Sequence, residues 1–422
     1  MPVTENKVSL FELITSLSDA IDLVSPSVAN HHRLSAYIAS SIAKELNLAP
    51  EHINDITLAA LVHDVGSLSL KDRLDLLTFE AEHTQLHSEL GYQLLGMFKP
   101  LTNVASIVRY HHIPWNNSEG MKFSGKPVPF GSHILQIADR IAVLLKSKEE
   151  ILSQVKPIIE KIENQSGKMF NPEFVLAFKR VAEREFFWFN LTSPNLMQII
   201  GALVNIQSIE LDIDSLIDLT KMYSRIIDFR SKFTASHSNG LAACAESIAK
   251  LGGFSEIECK MMRVAGYLHD LGKLAVPAEY LEKPENLTKD EFNVMKSHSY
   301  HTFRLLKSLG NFDVIAEWSA FHHECLDGTG YPFHLKGKAI PMGARIIAVA
   351  DVFVALTEDR PYRKGMKKEK TLDILQRMAD NYVLDPNIVS LIKLNFEDIN
   401  VTRIKAQETA NEEYQVFIQA AG

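Results

Sequence analysis

Cysteine is scarce in this chain: Cys244, Cys259 and Cys325 are the only three in 422 residues. They form no CxxC pair and no even set, so a disulfide framework is excluded and a reducing compartment is expected. Long apolar runs are missing as well. No stretch of about 18 apolar residues occurs, which argues against a membrane-spanning helix. The first residues, MPVTENKVSLFELITSLSDA, put polar side chains where a secretory leader needs its apolar core. A cytoplasmic protein without membrane association is the expectation. Positive charge is not in excess either: 44 Lys+Arg face 52 Asp+Glu, a net charge of −8. A chain that coats a nucleic-acid polymer or an anionic membrane by bulk charge is therefore excluded. Any anionic substrate must be held by local groups. With 20 Gly and 16 Pro the chain is neither collagen-like nor of low complexity. What is left is 46% hydrophobic and 23% charged, a globular composition long enough for two or three domains of about 150 residues.

Histidine is what stands out, with 16 copies that are not scattered. Leu61-Val62-His63-Asp64-Val65-Gly66 reappears as Tyr267-Leu268-His269-Asp270-Leu271-Gly272, an offset of 206. His31 and His237 share that offset, as do Ser41-Ile42-Ala43-Lys44 and Ser247-Ile248-Ala249-Lys250. His87 matches His298 at 211, and His111-His112 match His322-His323, also at 211. Asp139 matches Asp351 at 212, and Asn171-Pro172 match Asp385-Pro386 at 214. Insertions in loops shift an offset by such small steps. Ten of the 16 histidines lie on the shared grid. A tandem duplication follows, with repeats near 20–200 and 215–405.

Both repeats read as helical. Leu241, Cys244, Ala245, Ile248 and Ala249 recur at three- and four-residue spacing, as a buried helix face requires. Ile257, Met261, Met262, Ala265 and Leu268 do the same into the His-Asp pair. Ser215 to Phe229 reads as a helix joining the repeats. Asp327-Gly328-Thr329-Gly330-Tyr331-Pro332 reads as a loop. Strand alternation is scarce, so the fold class is all-α. The domains are 1–210 and 211–405, followed by a polar tail, 406–422, for which docking and fraying both stand open.

The second repeat offers His237, His269, Asp270, His298, His322, His323 and Asp351. One tetrahedral zinc needs four ligands. Five imidazoles and two carboxylates suit two octahedral ions, with Asp270 able to serve both. Without thiolate the set favours iron, manganese or nickel and leaves zinc open. Two ions about 3.5–4 Å apart can ready a water and clamp a phosphoryl group. A single His-Asp pair on a helix is usually no more than a hydrogen-bonded pair. Seven such residues in order, with Gly272-Lys273 behind the pair, outweigh that reading. Lys273 lies one turn beyond Asp270, so both can face one cavity. Arg360 and Arg363 form a fork suited to phosphate, or a salt bridge at a helix start. Gly328 and Gly330 allow a sharp turn or close approach to a ligand.

These residues carry a resemblance. His237, His269-Asp270-Leu271-Gly272-Lys273, His298, His322-His323-Glu324, Asp327-Gly328-Thr329-Gly330-Tyr331-Pro332, Asp351 and Arg360-Pro361-Tyr362-Arg363 resemble the HD-GYP family across about 225 to 405. Lys283-Pro284 and Leu287-Thr288 also fit its pattern. The N-terminal repeat resembles a divergent HD domain of the same superfamily. The resemblance implies an all-helical tandem fold and metal-dependent hydrolysis of a cyclic dinucleotide, cyclic di-GMP or 3′,3′-cyclic GMP-AMP, to a linear product. It makes the seven residues metal ligands, with iron foremost and manganese second. It puts Asp270 and Lys273 in catalysis, and Lys273, Arg360, Arg363, Gly330 and Tyr331 against the substrate. A homodimer or a signalling-protein partner is also in keeping with it.

Two departures matter. The family commonly has Asp three residues after the Asp351 position, where this chain has Val354, so a carboxylate that orients the lysine is gone. Members with a third metal carry Glu four residues before the first His; here that position is Phe233, and two metals are expected. The first repeat keeps His31, His63, Asp64, His87, His111, His112 and Asp139, a possible second metal site whose first ligand is ambiguous, because His32 neighbours His31. It has Ser67 in place of the lysine, and Ile113-Pro114-Trp115-Asn116 in place of the glycine loop. A regulatory or non-catalytic partner role is expected of it. Two other functions compete: an HD-superfamily 5′-nucleotidase or phosphatase, and a non-catalytic cyclic dinucleotide sensor.

Overall fold

The computed structural model describes residues 9–23, 30–67, 74–79, 85–204, 211–229, 236–281, 283, 285–359 and 364–421. The described residues are helical throughout, apart from one two-residue antiparallel pair, Lys122–Phe123 with Lys126–Pro127, and connecting turns. No described helix is long and apolar enough to cross a membrane. The chain divides near residue 210 into two compact units.

Each unit repeats one plan. A helix begins on the first grid histidine: His31–Glu45 in the first unit, His237–Leu251 in the second. A second helix, Pro50–Val62 or Glu256–Leu268, packs against it and ends immediately before the His-Asp pair. Helices Gln85–Gly96 and Lys289–Lys307 carry His87 and His298. Short helices Thr102–Arg109 and Asp313–Ala320 stop just before the double histidines. Helices Phe130–Leu144 and Met342–Thr357 are largely buried and carry Asp139 and Asp351.

Local chemistry accounts for the boundaries. Ser255 and Thr288 each form a reciprocal capping box with Glu258 and Glu291, which satisfies the free N–H groups of the first turn. Asp212 caps the linking helix Ile213–Asp228 by accepting from the Ser215 N–H at 2.8 Å. In Glu256–Leu268 the residues Met261, Met262, Ala265 and Leu268 are buried as their spacing required, but Ile257 is 39% exposed. It lies in the first turn, beyond the reach of the core. The helix Phe396–Ala421 runs unbroken through the 405/406 boundary. Ile399, Arg403, Gln407, Ala410 and Phe417 are buried along it, so one stripe docks although the other faces are polar.

The turn after the His-Asp pair demands glycine. A Cβ on Gly272 would stand 1.9 Å from the carbonyl oxygen of His298, and one on Gly66 would stand 2.1 Å from that of His87. These contacts bring the helix bearing the third grid histidine against the pair. Gly272→Ala is expected to destabilise the second unit by about 2–3 kcal/mol, because two backbones must part. Urea unfolding checks this; an unchanged midpoint would mean that the helix can retreat freely.

Candidate active site

In the second unit the side chains of all seven grid residues converge. His237, His269 and Asp270 have ligand atoms within 4.8 Å of one another, and so do His298, His322 and His323. Asp351 Oδ1 lies 3.3 Å from His237 Nε2. Asp270 joins the two groups. Its Oδ2 is 3.0 Å from His269 Nε2, and its Oδ1 is 3.6 Å from His298 Nε2. One carboxylate thus faces both triads, as a bridging ligand must.

Backbone carbonyls three residues back fix the imidazoles. His269 Nδ1 bonds the Gly266 carbonyl at 2.8 Å, His298 Nδ1 that of Met295 at 2.6 Å, and His322 Nδ1 that of Ser319 at 2.6 Å. A carbonyl oxygen only accepts, so each Nδ1 carries the proton and donates. Each Nε2 then presents a lone pair inward. His298 Nε2 and His322 Nε2 stand 3.4 Å apart, and neither has a proton to give the other. Burial holds the His322 and His323 pKa values below the ordinary range and that of His298 down at about 3, so all three stay neutral. Facing lone pairs beside ionised carboxylates suit a cation between them, and the donor set fits divalent metal. Burial opposes ionisation of Asp270, but His269 and Lys273 outweigh it and hold its pKa well below the usual range.

Lys273 leaves the 3₁₀ turn Leu271–Ala275 and donates from Nζ to Asp270 Oδ2 at 2.6 Å. Asp270 therefore orients the lysine where Val354, fully buried, cannot. The glycine loop packs beside the second triad. The Tyr331 N–H donates to the His323 carbonyl at 3.1 Å, and the two rings lie 4.8 Å apart. A Cβ on Gly330 would stand 2.3 Å from Cys325 N and 2.4 Å from the His323 carbonyl oxygen, so glycine lets the loop close on the double histidine. Buried Glu324 accepts from the Phe333 and Leu335 N–H groups and ties the loop down. Next to it opens a cleft of about 470 Å³, lined by Phe292, Lys296, Tyr300 and Tyr331 among others. Arg360 and Arg363, and the expected third-metal position Phe233, lie outside the described residues.

Sequence reasoning missed Glu358. It sits seven residues after Asp351, two helical turns on and so on the same face, which was the available signal. Its Oε2 accepts from His237 Nδ1 at 3.2 Å and from Gln407 Nε2 at 3.1 Å, and Gln407 is held in turn by Arg403. Burial alone would keep His237 neutral, but Glu358 and Asp351 overcome it and raise its pKa well above the ordinary value. Carboxylate, imidazole and cation in line is a known way to orient a ligand. Glu358→Gln is expected to weaken metal binding by about 10–100-fold. Titration of metal-free protein checks it, and an unchanged affinity would leave Glu358 with packing alone.

The first unit gathers its grid in the same manner. His31, His63 and Asp64 form one group, His87, His111 and His112 a second, and His63, His111 and Asp139 a third. Asp64 Oδ2 is 3.4 Å from His63 Nε2 and its Oδ1 is 3.6 Å from His87 Nε2, the bridging arrangement again.

The HD-domain family profiles match residues 28–144 and 221–388. The 3′3′-cGAMP-specific phosphodiesterase 1 of Vibrio cholerae is 30% identical over 400 residues, 93% of each chain. The chain belongs to the HD-domain family. Another relative of this HD-domain protein, the 3′3′-cGAMP-specific phosphodiesterase 3 of Vibrio cholerae, is 27% identical over 93% of this chain and 96% of that one. The cyclic di-GMP phosphodiesterase response regulator RpfG of Xanthomonas campestris is 39% identical, but over 40% of this chain and 45% of its own. The crystal structure of a V. cholerae cyclic GMP-AMP specific phosphodiesterase, V-cGAP3, shares the fold with a TM-score of 0.65 at 23% identity, covering 93% of this chain and 98% of that one.

HD-domain phosphodiesterases are metal-dependent, and both units of this HD-domain protein present histidine and aspartate groups that fit a cation. Without metal, those groups set an acid limit. Eight described histidines have pKa values lowered chiefly by burial, with His298 and His111 near about 3 and His87 near about 4. The unfolded chain takes up these protons below about 6.5, whereas the folded state refuses them. Stability is thus present above about 6.5 and is lost on the way down, by up to about 1.4 kcal/mol per pH unit and group. His237 and His63, whose pKa values are raised, are already protonated in the folded state while the unfolded chain takes up their protons around 6.5, so they offset part of that loss. Asp19, Asp55 and Asp228, raised by burial, offset a part in the upper acid range. Asp270 and Asp351, lowered, add to the loss in stronger acid. Chelator-treated protein is expected to melt at a clearly lower temperature at pH 5.5 than at pH 7.5, and equal midpoints would contradict the buried neutral imidazoles.

Proposed function

We propose that the second unit, about 211–405, hydrolyses a cyclic dinucleotide to a linear product, with 3′,3′-cyclic GMP-AMP as the preferred substrate. The observation that carries the reading is Asp270, whose two oxygens face His269 on one side and His298 of the histidine triad on the other, while its lysine neighbour stands beside it. Divalent cations held there supply positive charge for the phosphodiester and make water acidic enough to attack phosphorus at neutral pH. The residues divide the remaining work. His237, His269, His298, His322, His323, Asp270 and Asp351 hold two ions, iron first and manganese second. Lys273 meets a nonbridging phosphate oxygen on which charge grows as water adds and the ester P–O bond breaks. Arg360 and Arg363 grip the second phosphate, and Tyr331 with Gly330 borders the substrate.

The cleft beside Tyr331 supports a nucleotide ligand. Phe292 and Tyr300 offer faces for a base, and Lys296 Nζ lies 5.0 Å from the Phe292 ring centroid and 5.7 Å from that of Tyr331. Preference for 3′,3′-cyclic GMP-AMP is supported by the two relatives that span both units, since their names specify it. Iron- and manganese-loaded protein would be offered 3′,3′-cyclic GMP-AMP and cyclic di-GMP side by side, with metal content measured on the same sample. Faster turnover of 3′,3′-cyclic GMP-AMP is expected. Faster turnover of cyclic di-GMP overturns the preference. Turnover of mononucleotides alone, or tight binding without turnover, overturns the reaction.

A further inference from the structure

One of the differences between the two units is an imidazole beside the first cluster. At the repeat offset of 206, Asp22 corresponds to Asp228 and His32 to Ser238. In the second unit Ser238 donates its hydroxyl to Asp228 Oδ1 at 2.8 Å and its backbone N–H to Oδ2 at 3.2 Å. The serine side chain ends there. In the first unit an imidazole stands in its place. His32 Nδ1 is hydrogen-bonded to Asp22 Oδ1. A carboxylate accepts, so Nδ1 is the donor and Nε2 keeps its lone pair.

That Nε2 is buried without a hydrogen-bond partner, on a residue only 2% exposed. It lies 4.0 Å from Asp64 Oδ2, and the His32 ring is 5.0 Å from that of His63. Asp64 Oδ1, Asp139 Oδ1 and His111 Nε2 are also buried without hydrogen-bond partners. His111 Nδ1 donates to the Val108 carbonyl at 2.6 Å, so its Nε2 too is a bare lone pair. Four acceptors pointing into one dry cluster would each be costly to leave unmatched. Elsewhere the same residues are satisfied. Asp139 Oδ2 takes Nε and Nη2 of Arg140 at 3.1 and 2.7 Å, and Nη2 is anchored on the Leu76 carbonyl at 3.1 Å. The outer atoms are thus hydrogen-bonded, whereas the inner ones face only other ligand-type atoms, Asp139 Oδ1 lying 3.1 Å from His31 Nε2.

We propose that the first unit holds a metal centre of its own, in which His32, oriented by Asp22, is a ligand that the second unit lacks. Six imidazoles and two carboxylates make it richer in nitrogen, which suits a first-row transition cation over magnesium or calcium. The proposal rests on these atoms and not on the hydrolysis assigned to the second unit. With Ser67 at the lysine position, the centre has no cation one turn beyond its bridging aspartate.

The test uses the full chain carrying His269→Ala and Asp270→Ala, so that only the first centre remains. It is freed of metal and titrated with Co²⁺, whose visible absorption reports nitrogen ligation, and bound cobalt is counted by elemental analysis. Bound cobalt with ligand-field absorption is expected. Adding His32→Ser, the second unit's own residue, should weaken binding by at least tenfold and change the spectrum. Asp22→Asn, which keeps shape and fold, should cost about 10–100-fold through loss of orientation. Circular dichroism checks that each variant keeps its helices. A parent chain that binds no cobalt overturns the proposal, and so does unchanged affinity in both His32→Ser and Asp22→Asn. Should the second centre itself bind no metal, wild type and parent would take up equal cobalt, which separates the two failures.

Discussion

Changing His269 and Asp270 to alanine is expected to lower phosphodiesterase turnover by more than about a thousandfold while leaving the helical content intact. The size follows from what the pair supports. Asp270 alone faces both triads, with Oδ2 at 3.0 Å from His269 and Oδ1 at 3.6 Å from His298. Removing it separates the two triads and releases Lys273 from its 2.6 Å contact. Removing His269 takes a ligand from the triad that includes His237. Water at neutral pH attacks a phosphodiester only when its pKa is brought far down, and that depends on cations held at the site. The fold should tolerate the change. His269 caps the helix Glu256–Leu268 from outside its last turn, and the alanine pair removes buried charge as well as ligands. Metal content, turnover and circular dichroism on one preparation read the result. Residual turnover above about a tenth of wild type would place the chemistry elsewhere.

The histidine rows were legible because the spacing survived duplication. Each grid residue sits at a point the chain cannot easily move: a first helical residue, a helix end, or mid-helix on a buried face. His31 and His237 both open a helix, and His63 and His269 both follow one. A sequence that keeps the element lengths keeps the convergence. Supporting residues lacked such a signature. Glu358 and Gln407 are 49 residues apart, and their hydrogen bond exists only because Phe396–Ala421 docks. Docking was one of two outcomes open for the tail, and the sequence did not decide it, since buried Arg403 and Gln407 read as polar surface in composition. His32 was visible beside His31 as a rival first ligand, but its link to Asp22 was not. The second unit keeps the aspartate as Asp228 but has Ser238 in place of the imidazole, so matching the two repeats does not reveal the pair.

Lys273→Met is expected to lower kcat by about 10²–10³-fold with a smaller change in KM. The lysine is partly buried, and its ammonium lies at the junction of the triads. Burial opposes its charge, but Asp270 outweighs burial and raises its pKa, so it stays cationic throughout the working range. A fixed cation next to a phosphate oxygen is worth more as charge accumulates in the transition state than in the bound ground state. Losing one such preorganised group from a dry site costs about 3–4 kcal/mol in comparable enzymes. Methionine keeps the length and most of the volume of the side chain, so packing changes little. The alternative is that Lys273 serves only to orient Asp270, and the two roles give different readouts. An orienting role would lower metal affinity in Lys273→Met and leave turnover near wild type once metal is saturating. A charge-stabilising role would leave metal content unchanged and the loss in kcat undiminished at any metal concentration. Equal kcat for wild type and Lys273→Met at full metal loading would remove the lysine from the reaction.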